Sequence, residues 1–491
     1  MTESLSLPTD ILRLVFDEVD DYDGVIAASH VSQHWRLSAR SHNLYSVDFS
    51  VQITQSSDIA GQLQSNTRRL KSAPIPLDLK ITITIQDAAD HPSWPELVGA
   101  LARTITTPGI RNISFYADGV YLDAVMEKFC DTPAPLLEKL SLVAEPTPNV
   151  VPLSRLFAGH APVLRDVSLA NVDIDSIGGS TTFSCMQKMA IVSCSLDMSL
   201  LLSACPALQY LTLHSCDFKL NAVAVPDLTQ SDIGRVLRVL DFVAGSSPPS
   251  DETQQMLFRA IPQSVPTIIW TGDLPPPSGL AQDLLHGLPP DGLSLALSTS
   301  NDWQNLFALR LSVPDSTPVP SLTGTLEARV REIRFTVPDS FTPWSWVSAH
   351  RIVRLKMPHR LLSLILPTIP AFCLPQLLEM HIEAPDGDTS TAIDFWNAQQ
   401  DLAQQRLLAP RLERLVLLAA GTEQHVKLVT TIGLTSLATQ VLGLSPVDAD
   451  LSAATAAARP DILLVGLRID EQGAELSRLF NRIEFEEPNR P

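Results

Sequence analysis

"CPALQYLTLHSCDF", residues Cys205 to Phe218, sets a proline immediately before a short run in which apolar side chains alternate. In an extended strand Leu211 and Leu213 share one face, and Tyr210, Thr212 and His214 take the other. Leu208 precedes this pair, and Cys216 and Phe218 follow it. The same order returns at Met186, Met189, Ile191, Cys194 and Leu196, and at Leu164, Val167, Leu169, Val172 and Ile174. Shorter versions occur at Ile110/Ile113/Phe115, Leu137/Leu140/Leu142, Leu237/Leu240/Phe242, Val330/Ile333/Phe335, Leu377/Met380/Ile382 and Leu412/Leu415/Leu417. The middle apolar residue recurs after 27 residues (Ile113 to Leu140) and 27 (to Val167), then 22 (to Met189), 22 (to Leu211) and 29 (to Leu240). Later steps are 22 from Ile333 to Leu355 and 25 from Leu355 to Met380.

A supersecondary unit repeated at this period resembles degenerate leucine-rich repeats. The strands are expected to stack into a parallel sheet, with segments such as "LDAVMEKFC" and "LDMSLLLSAC" as helices that help bury a shared core. Proline opens several strands, in "APLLEKLSL", "APVLRDVSL", "LPQLLEMHI" and "APRLERLVL". "LKITITI", Leu79–Ile85, alternates strictly and is expected to start the sheet. Residues 245–325 are turn-rich ("GSSPPSDE", "GDLPPPSG", "GLPPDG") and read either as long loops or as a break in the array.

Outward from this region, the N-terminus has a different period. In "LPTDILRLVFDEV", Leu7–Val19, apolar residues at Ile11, Leu12, Val15, Phe16 and Val19 form a stripe of period 3.6. Pro8 suits a helix start, and Thr9 or Asp10 suits the cap or the positive end of the dipole. "VIAASHVSQHWR", Val25–Arg36, supplies a second helical stripe. A unit of this size buries too little surface to stand alone, so it leans on the following domain or on a partner. Leu7-Pro8, Ile11-Leu12, Val15-Phe16, "VIAASHVSQHWR" and Leu44-Tyr45, in that order, resemble an F-box, with Ser32 where that family often has Cys and Tyr45 in place of a closing Trp. The resemblance implies docking on the Skp-type adaptor of a cullin–RING ubiquitin ligase. Residue by residue it assigns this contact to Leu7, Pro8, Ile11, Leu12, Val15, Val31 and Trp35, with Phe16 and Val19 held inside.

The expected fold class is therefore α/β: an all-α F-box over 1–50, a linker or connecting helix over 51–74, and an irregular leucine-rich-repeat solenoid with a parallel concave sheet over 75–475. The final residues, 476–491, read as a tail.

Composition restricts what this chain does. Its 491 residues carry 35 Lys and Arg against 54 Asp and Glu, a net charge of −19, which disfavours a nucleic-acid partner. The most apolar run, "LLSLILPTIPAFCLPQLL", is broken by Pro367, Pro370 and Pro375 and does not read as a membrane span. Six cysteines without a Cys-x-x-Cys pair read as reduced thiols of a cytoplasmic or nuclear protein. Cys194 and Cys216, one repeat apart, are expected to be core thiols rather than metal ligands. Phosphate-loop, dinucleotide, nucleophile-elbow and zinc-helix motifs are all missing from the sequence, so no cofactor and no catalytic residue is assigned. The expectation is a non-enzymatic subunit that recruits a protein target to a ubiquitin ligase. The target would meet the outward strand face, for which Tyr210, Thr212, His214, Arg238, Asp241, Arg334, His381 and Arg414 are the candidates. The rival readings are a scaffold that keeps the adaptor contact, or a stand-alone repeat protein whose N-terminal helices cap the array.

Overall fold

The computed structural model describes residues 7–19, 22–40, 49–53, 77–83, 110–145, 153–172, 174, 177, 180–218, 236–244, 265–273, 276, 278–285, 288–299, 306–313, 329–336, 349–359, 361–362, 374–384, 407–419, 427–444, 459–469 and 474–487. The chain forms two units, Met1–Pro262 and Gln263–Pro491.

The first unit opens with helices α1 (Thr9–Asp17), α2 (Tyr22–Ser29) and α3 (Gln33–Arg40). Pro8 takes the N-cap position of α1, and its carbonyl accepts the Leu12 N–H at 3.0 Å. Thr9 is already helical, and Asp10 sits in the first turn, where the dipole favours a carboxylate. The Ser32 hydroxyl accepts the Trp35 N–H at 3.2 Å and its carbonyl accepts Arg36 N–H at 2.9 Å, so Ser32 caps α3. Leu12, Phe16, Val25 and Ala39 form a core of their own, against which Val19, Ala28 and Trp35 pack. Phe16 and Trp35 meet edge to face at 5.8 Å.

Eight parallel strands follow in the same unit. They are β1 (Phe49–Ile53), β2 (Leu77–Ile83), β3 (Ile110–Asp118), β4 (Lys139–Glu145), β5 (Asp166–Ala170), β6 (Lys188–Val192), β8 (Tyr210–His214) and β10 (Val239–Val243), while the two-residue strands β7 (Ser195–Leu196) and β9 (Asp217–Phe218) pair separately. Each of the eight pairs in parallel with the next. The register joins Ile113, Leu140, Val167, Met189, Leu211 and Leu240 in one row, and Phe115, Leu142, Leu169, Ile191, Leu213 and Phe242 in the next. Both rows are buried.

Strand entrances share one device. In Ala134–Leu137, Ala161–Leu164 and Cys205–Leu208 the fourth residue's N–H bonds back to the first residue's carbonyl at 3.1–3.3 Å, with proline second. Proline fits there because its fixed φ suits the second position of a β-turn and its missing N–H is not needed. The next backbone N–H then reaches the neighbouring strand: Arg165 to Glu138, Gln187 to Arg165, Gln209 to Gln187 and Arg238 to Gln209, at 2.8–2.9 Å. Strand exits are equally regular. Asn171, Ser193 and Ser215 hold φ of 55°, 51° and 53°, and each donates its N–H to the next strand.

The two quoted segments form α4 (Gly119–Cys130) and α5 (Met198–Ala204). Between β4 and β5, where Pro146, Pro148 and Pro152 oppose a helix, the described residues 153–159 make an irregular turn with Phe157 and Ala158 at positive φ.

The second unit holds strands β11 (Thr267–Gly272), β12 (Leu293–Thr299), β13 (Leu306–Ser312), β14 (Val330–Thr336), β15 (Ile352–Pro358), β16 (Glu379–Glu383), β17 (Arg414–Leu418), β18 (Lys427–Val429), β19 (Asp461–Val465), β20 (Leu467–Ile469) and β21 (Ile483–Glu486). Among the described residues its α-helices are α6 (Ser278–Leu285), α7 (Thr431–Ser436) and α8 (Ala474–Leu479). Spatial order here is β11-β14-β13-β12-β15-β16-β17-β19-β21. β13 runs antiparallel to both neighbours, and the other pairs are parallel. In the described part of the turn-rich middle, β12 and β13 are close enough in sequence to fold back on each other, which only antiparallel strands can do. The C-terminal stretch differs from its reading as a tail, since α8 and β21 occupy much of 476–491. Leu44-Tyr45, Ile85, residues 54–74 and residues 488–491 lie outside the described residues.

Leu213 is completely buried, whereas Thr212 points to the open face. Leu213→Ala is expected to destabilise the protein by about 2–5 kcal/mol and Thr212→Ala by less than about 0.5 kcal/mol, read from guanidinium unfolding midpoints.

Candidate functional site

Helix α1 is apolar on two sides. Leu12 and Phe16 face the three-helix core with no exposure, while Leu7 (44% exposed), Ile11 (43%), Leu14 (62%) and Val15 (38%) form a second stripe in solvent. Val31, just before α3, is 64% exposed, and Leu37 is exposed on α3 itself. The His34 ring Nε2 lies 2.9 Å from the Leu7 carbonyl and ties the chain start to α3. Exposed aliphatic side chains in this number on so small a unit are the kind of feature that interaction surfaces present.

Of the residues read as the adaptor contact, the structure leaves Leu7, Pro8, Ile11, Val15 and Val31 exposed. Leu12 departs from that reading, because its side chain is sealed in the core. Trp35 is divided: it packs on Phe16 and is only partly accessible. Leu14 and Leu37 are exposed as well, though the sequence reading did not name them. Leu14 had a signal, lying three residues from Ile11 and seven from Leu7, on the same helical face. Leu37 had none.

The other candidates divide between the units. In the first, Tyr210, Thr212 and His214 line one strand of the open face, and Asp241 is the register partner of Thr212. Lys188, the partner of Tyr210 on the other side, places its Nζ 5.3 Å from the Tyr210 ring centre. Asn112, Lys139, Asp166, Lys188 and Tyr210 form one polar row, and Ser114, Ser141, Ser168, Ala190 and Thr212 form a row of small residues beside it. Arg238 does not belong to that face. It stands two residues before the inward Leu240 and is exposed only because it precedes the strand.

In the second unit, Arg334, His381 and Arg414 do lie on the open face, each embedded in charge pairs. Arg334 Nε meets Glu332 at 2.7 Å, Arg354 Nε meets Glu379 at 2.7 Å, His381 Nε2 meets Glu379 at 2.9 Å, Lys356 meets Glu383 at 2.8 Å, and Arg414 meets Glu484 at 3.5 Å. Neighbouring strands thus present alternating signs, as in the row Arg354, Glu379, Arg414, Asp461. Partly exposed pairs of this kind are each worth about 0–1 kcal/mol and chiefly fix register and orientation.

Burial pushes the His381 imidazole below its ordinary pKa, with Arg354 and Lys356 acting in the same sense against the pull of Glu379. Burial alone would raise Glu379, but the hydrogen bonds and charges of His381 and Arg354 together hold its carboxyl below the usual range. Arg331 is a different case. It has the inward parity of Ile333, is 1% exposed, and donates from Nη1 to the carbonyls of Pro266 and Val330, both at 2.9 Å. Burial, with a smaller contribution from Arg329, pushes its pKa down to about 10.

Cys194 and Cys216 are buried at the ends of β6 and β8. Cys194 Sγ accepts the Val172 N–H at 3.4 Å, and Cys216 Sγ contacts the Ile191 carbonyl at 3.3 Å. Burial drives the Cys216 thiol up to about 12, which favours its protonated form. Among the described residues no cluster of three or more His, Cys, Asp or Glu is arranged to hold a metal ion. No described helix is long and apolar enough to cross a membrane.

The F-box domain family matches residues 4–47, the segment that contains α1, α2 and α3. No curated protein sequence matches the chain.

A pH dependence follows from the His381–Glu379 pair. Both groups titrate lower folded than unfolded: the His381 contribution is complete above the ordinary imidazole value of 6.5 and is lost as pH falls below it, whereas the Glu379 contribution is complete above the ordinary carboxylate value of 4.5 and is lost only below that. Arg354 and Lys356 on β15, Arg414 on β17 and Glu383 on β16 itself are the other charged groups beside the pair on that face. His381→Gln is expected to flatten the stability profile between these values, as measured by thermal unfolding across a pH series.

Proposed function

We propose that the F-box domain at residues 4–47 makes this chain the target-recruiting subunit of a Skp–cullin–F-box ubiquitin ligase. F-box domains bind Skp-type adaptors within cullin–RING ligases, and proteins that carry them are generally adaptors rather than enzymes. The observation that carries the reading is the second apolar stripe of α1. Leu7, Ile11, Leu14 and Val15 add nothing to the helical core and stand in solvent, so they serve a contact made by another chain. Val31 and Leu37 extend the apolar surface contributed by the unit. Capping of the sheet by these helices explains the stripe poorly, because capping would cover it.

The remainder of the chain is read as irregular leucine-rich repeats that hold a protein target. The turn–strand–turn unit, repeated with its inward residues in common register, supports that reading, as does a partly exposed face carrying Lys188, Tyr210, Thr212 and His214. Bond chemistry would reside in other subunits of the ligase. A scaffold that retains the adaptor contact shares every one of these features and differs only in the fate of what it binds.

Wild-type chain is expected to co-purify with a Skp-type adaptor. Leu7→Ser/Ile11→Ser/Val31→Ser should weaken that complex by about tenfold or more while leaving the circular dichroism spectrum unchanged. Leu12→Ala should instead weaken it through loss of helical structure. Failure of the wild type to bind overturns the proposal, and equal binding by the triple variant overturns the assigned surface.

A further inference from the structure

The open edge of β21 is unlike the rest of the second sheet. β21 pairs with β19 along one side, and among the described residues no strand pairs with its other side. Ile462 N–H bonds to the Arg482 carbonyl at 2.8 Å and Gly466 N–H to the Glu486 carbonyl at 2.9 Å. In a strand, a residue's N–H and C=O point the same way and alternate along the chain. Ile483, Phe485 and Glu487 therefore direct their backbone groups to the open side. Phe485 is the register partner of Leu464, a core residue with no exposure, yet it is itself 49% exposed. The buried row of the sheet thus continues into solvent at this strand. Beside it lies a groove of about 430 Å³, its apolar wall formed by Leu467, Ile469 and Phe485 and its polar rim by Arg468, Glu486 and Glu487.

We propose that this edge takes an additional strand from a basic, extended peptide segment of a partner protein. The segment would pair with the outward backbone groups, set one apolar side chain over Phe485 and into the groove, and bring Lys or Arg side chains to Glu486 and Glu487. Backbone pairing supplies affinity in such strand addition, and the side-chain pockets supply selectivity. Charge decides the occupant. The exposed rim has two carboxylates against the single Arg468, while Glu484 is already neutralised by Arg482 at 2.7 Å and Arg414 at 3.5 Å. A second copy of this chain fits badly. An antiparallel pairing that sets Phe485 opposite Phe485 places Glu484 against Glu486 twice, and like charges directly opposite are destabilising. As a route for choosing a target, the proposal rests on the recruiting role given above, but the binding event itself does not.

The test uses the full chain with fluorescence anisotropy of three labelled peptides: Lys-Val-Lys-Phe-Lys-Val-Lys, the same peptide N-methylated on alternate backbone nitrogens, and Glu-Val-Glu-Phe-Glu-Val-Glu. The lysine peptide is expected to saturate below about 100 μM. The two modified peptides should each bind about tenfold more weakly, and Glu486→Lys/Glu487→Lys should lower affinity for the lysine peptide about fivefold or more. Leu7→Ser/Ile11→Ser/Val31→Ser should leave peptide binding unchanged, which separates this edge from the adaptor surface. Absence of saturable binding overturns the proposal. So does equal binding of the N-methylated or the glutamate peptide, or a self-association in sedimentation that Phe485→Pro, which removes an outward backbone N–H, abolishes.

Discussion

Backbone pairing at the strand entrance is the constraint on which both sheets depend. A closed turn delivers each chain segment to one height, and the first N–H after it bonds to its neighbour's carbonyl before the strand proper begins. Glu138 to Arg111, Arg165 to Glu138 and Gln187 to Arg165 form one such series in the first unit, and Leu378 to Val353, Glu413 to Leu378 and Asp461 to Glu413 form another in the second. With that height fixed, alternation alone decides which side chains meet. A slip of one residue would turn Leu211 and Leu213 to water and Thr212 to the core. The left-handed residues at the strand exits close the same unit from the other end, so spacings as different as 22 and 27 residues still yield a common register.

Much of this was legible in the sequence because the signals are local. Period-two alternation located the strands, proline located the turns, and the repeated triplets named the residues that share a buried row. Two kinds of feature escaped. The antiparallel β13 depends on which segments pair, and Leu306–Ser312 alternates just as the parallel-paired strands do, so nothing in it announces direction. The form of the connections escaped for a second reason: a strand repeat needs a connection, but the described residues 153–159 between β4 and β5 make it as an irregular turn with Phe157 and Ala158 at positive φ.

The N-terminal site shows the same division. Period 3.6 found the helix and most of its apolar residues, yet that period cannot say which of two adjacent apolar faces is inside. Packing decided that Leu12 and Phe16 close the core, and Trp35 joined them through its ring contact with Phe16. The remaining aliphatic residues were then left over, and surplus of this kind becomes visible only once the core has been counted. Parity likewise placed Arg331 inward, against the expectation that an arginine in a strand faces water.

The order β11-β14-β13-β12-β15 also sets how the second unit can assemble. In a simple stack each strand docks on its predecessor, so growth proceeds one repeat at a time and the chain could be shortened at any junction. Here β14 completes β11, and β15 completes β12, across intervening segments. Residues 293–336 must therefore enter as one block, and the strands from β15 onward have no template until β12 is seated. Loop closure over that span comes before the contacts that reward it, which makes this block the expected slow step in folding and the shortest segment that can be removed or exchanged as a whole.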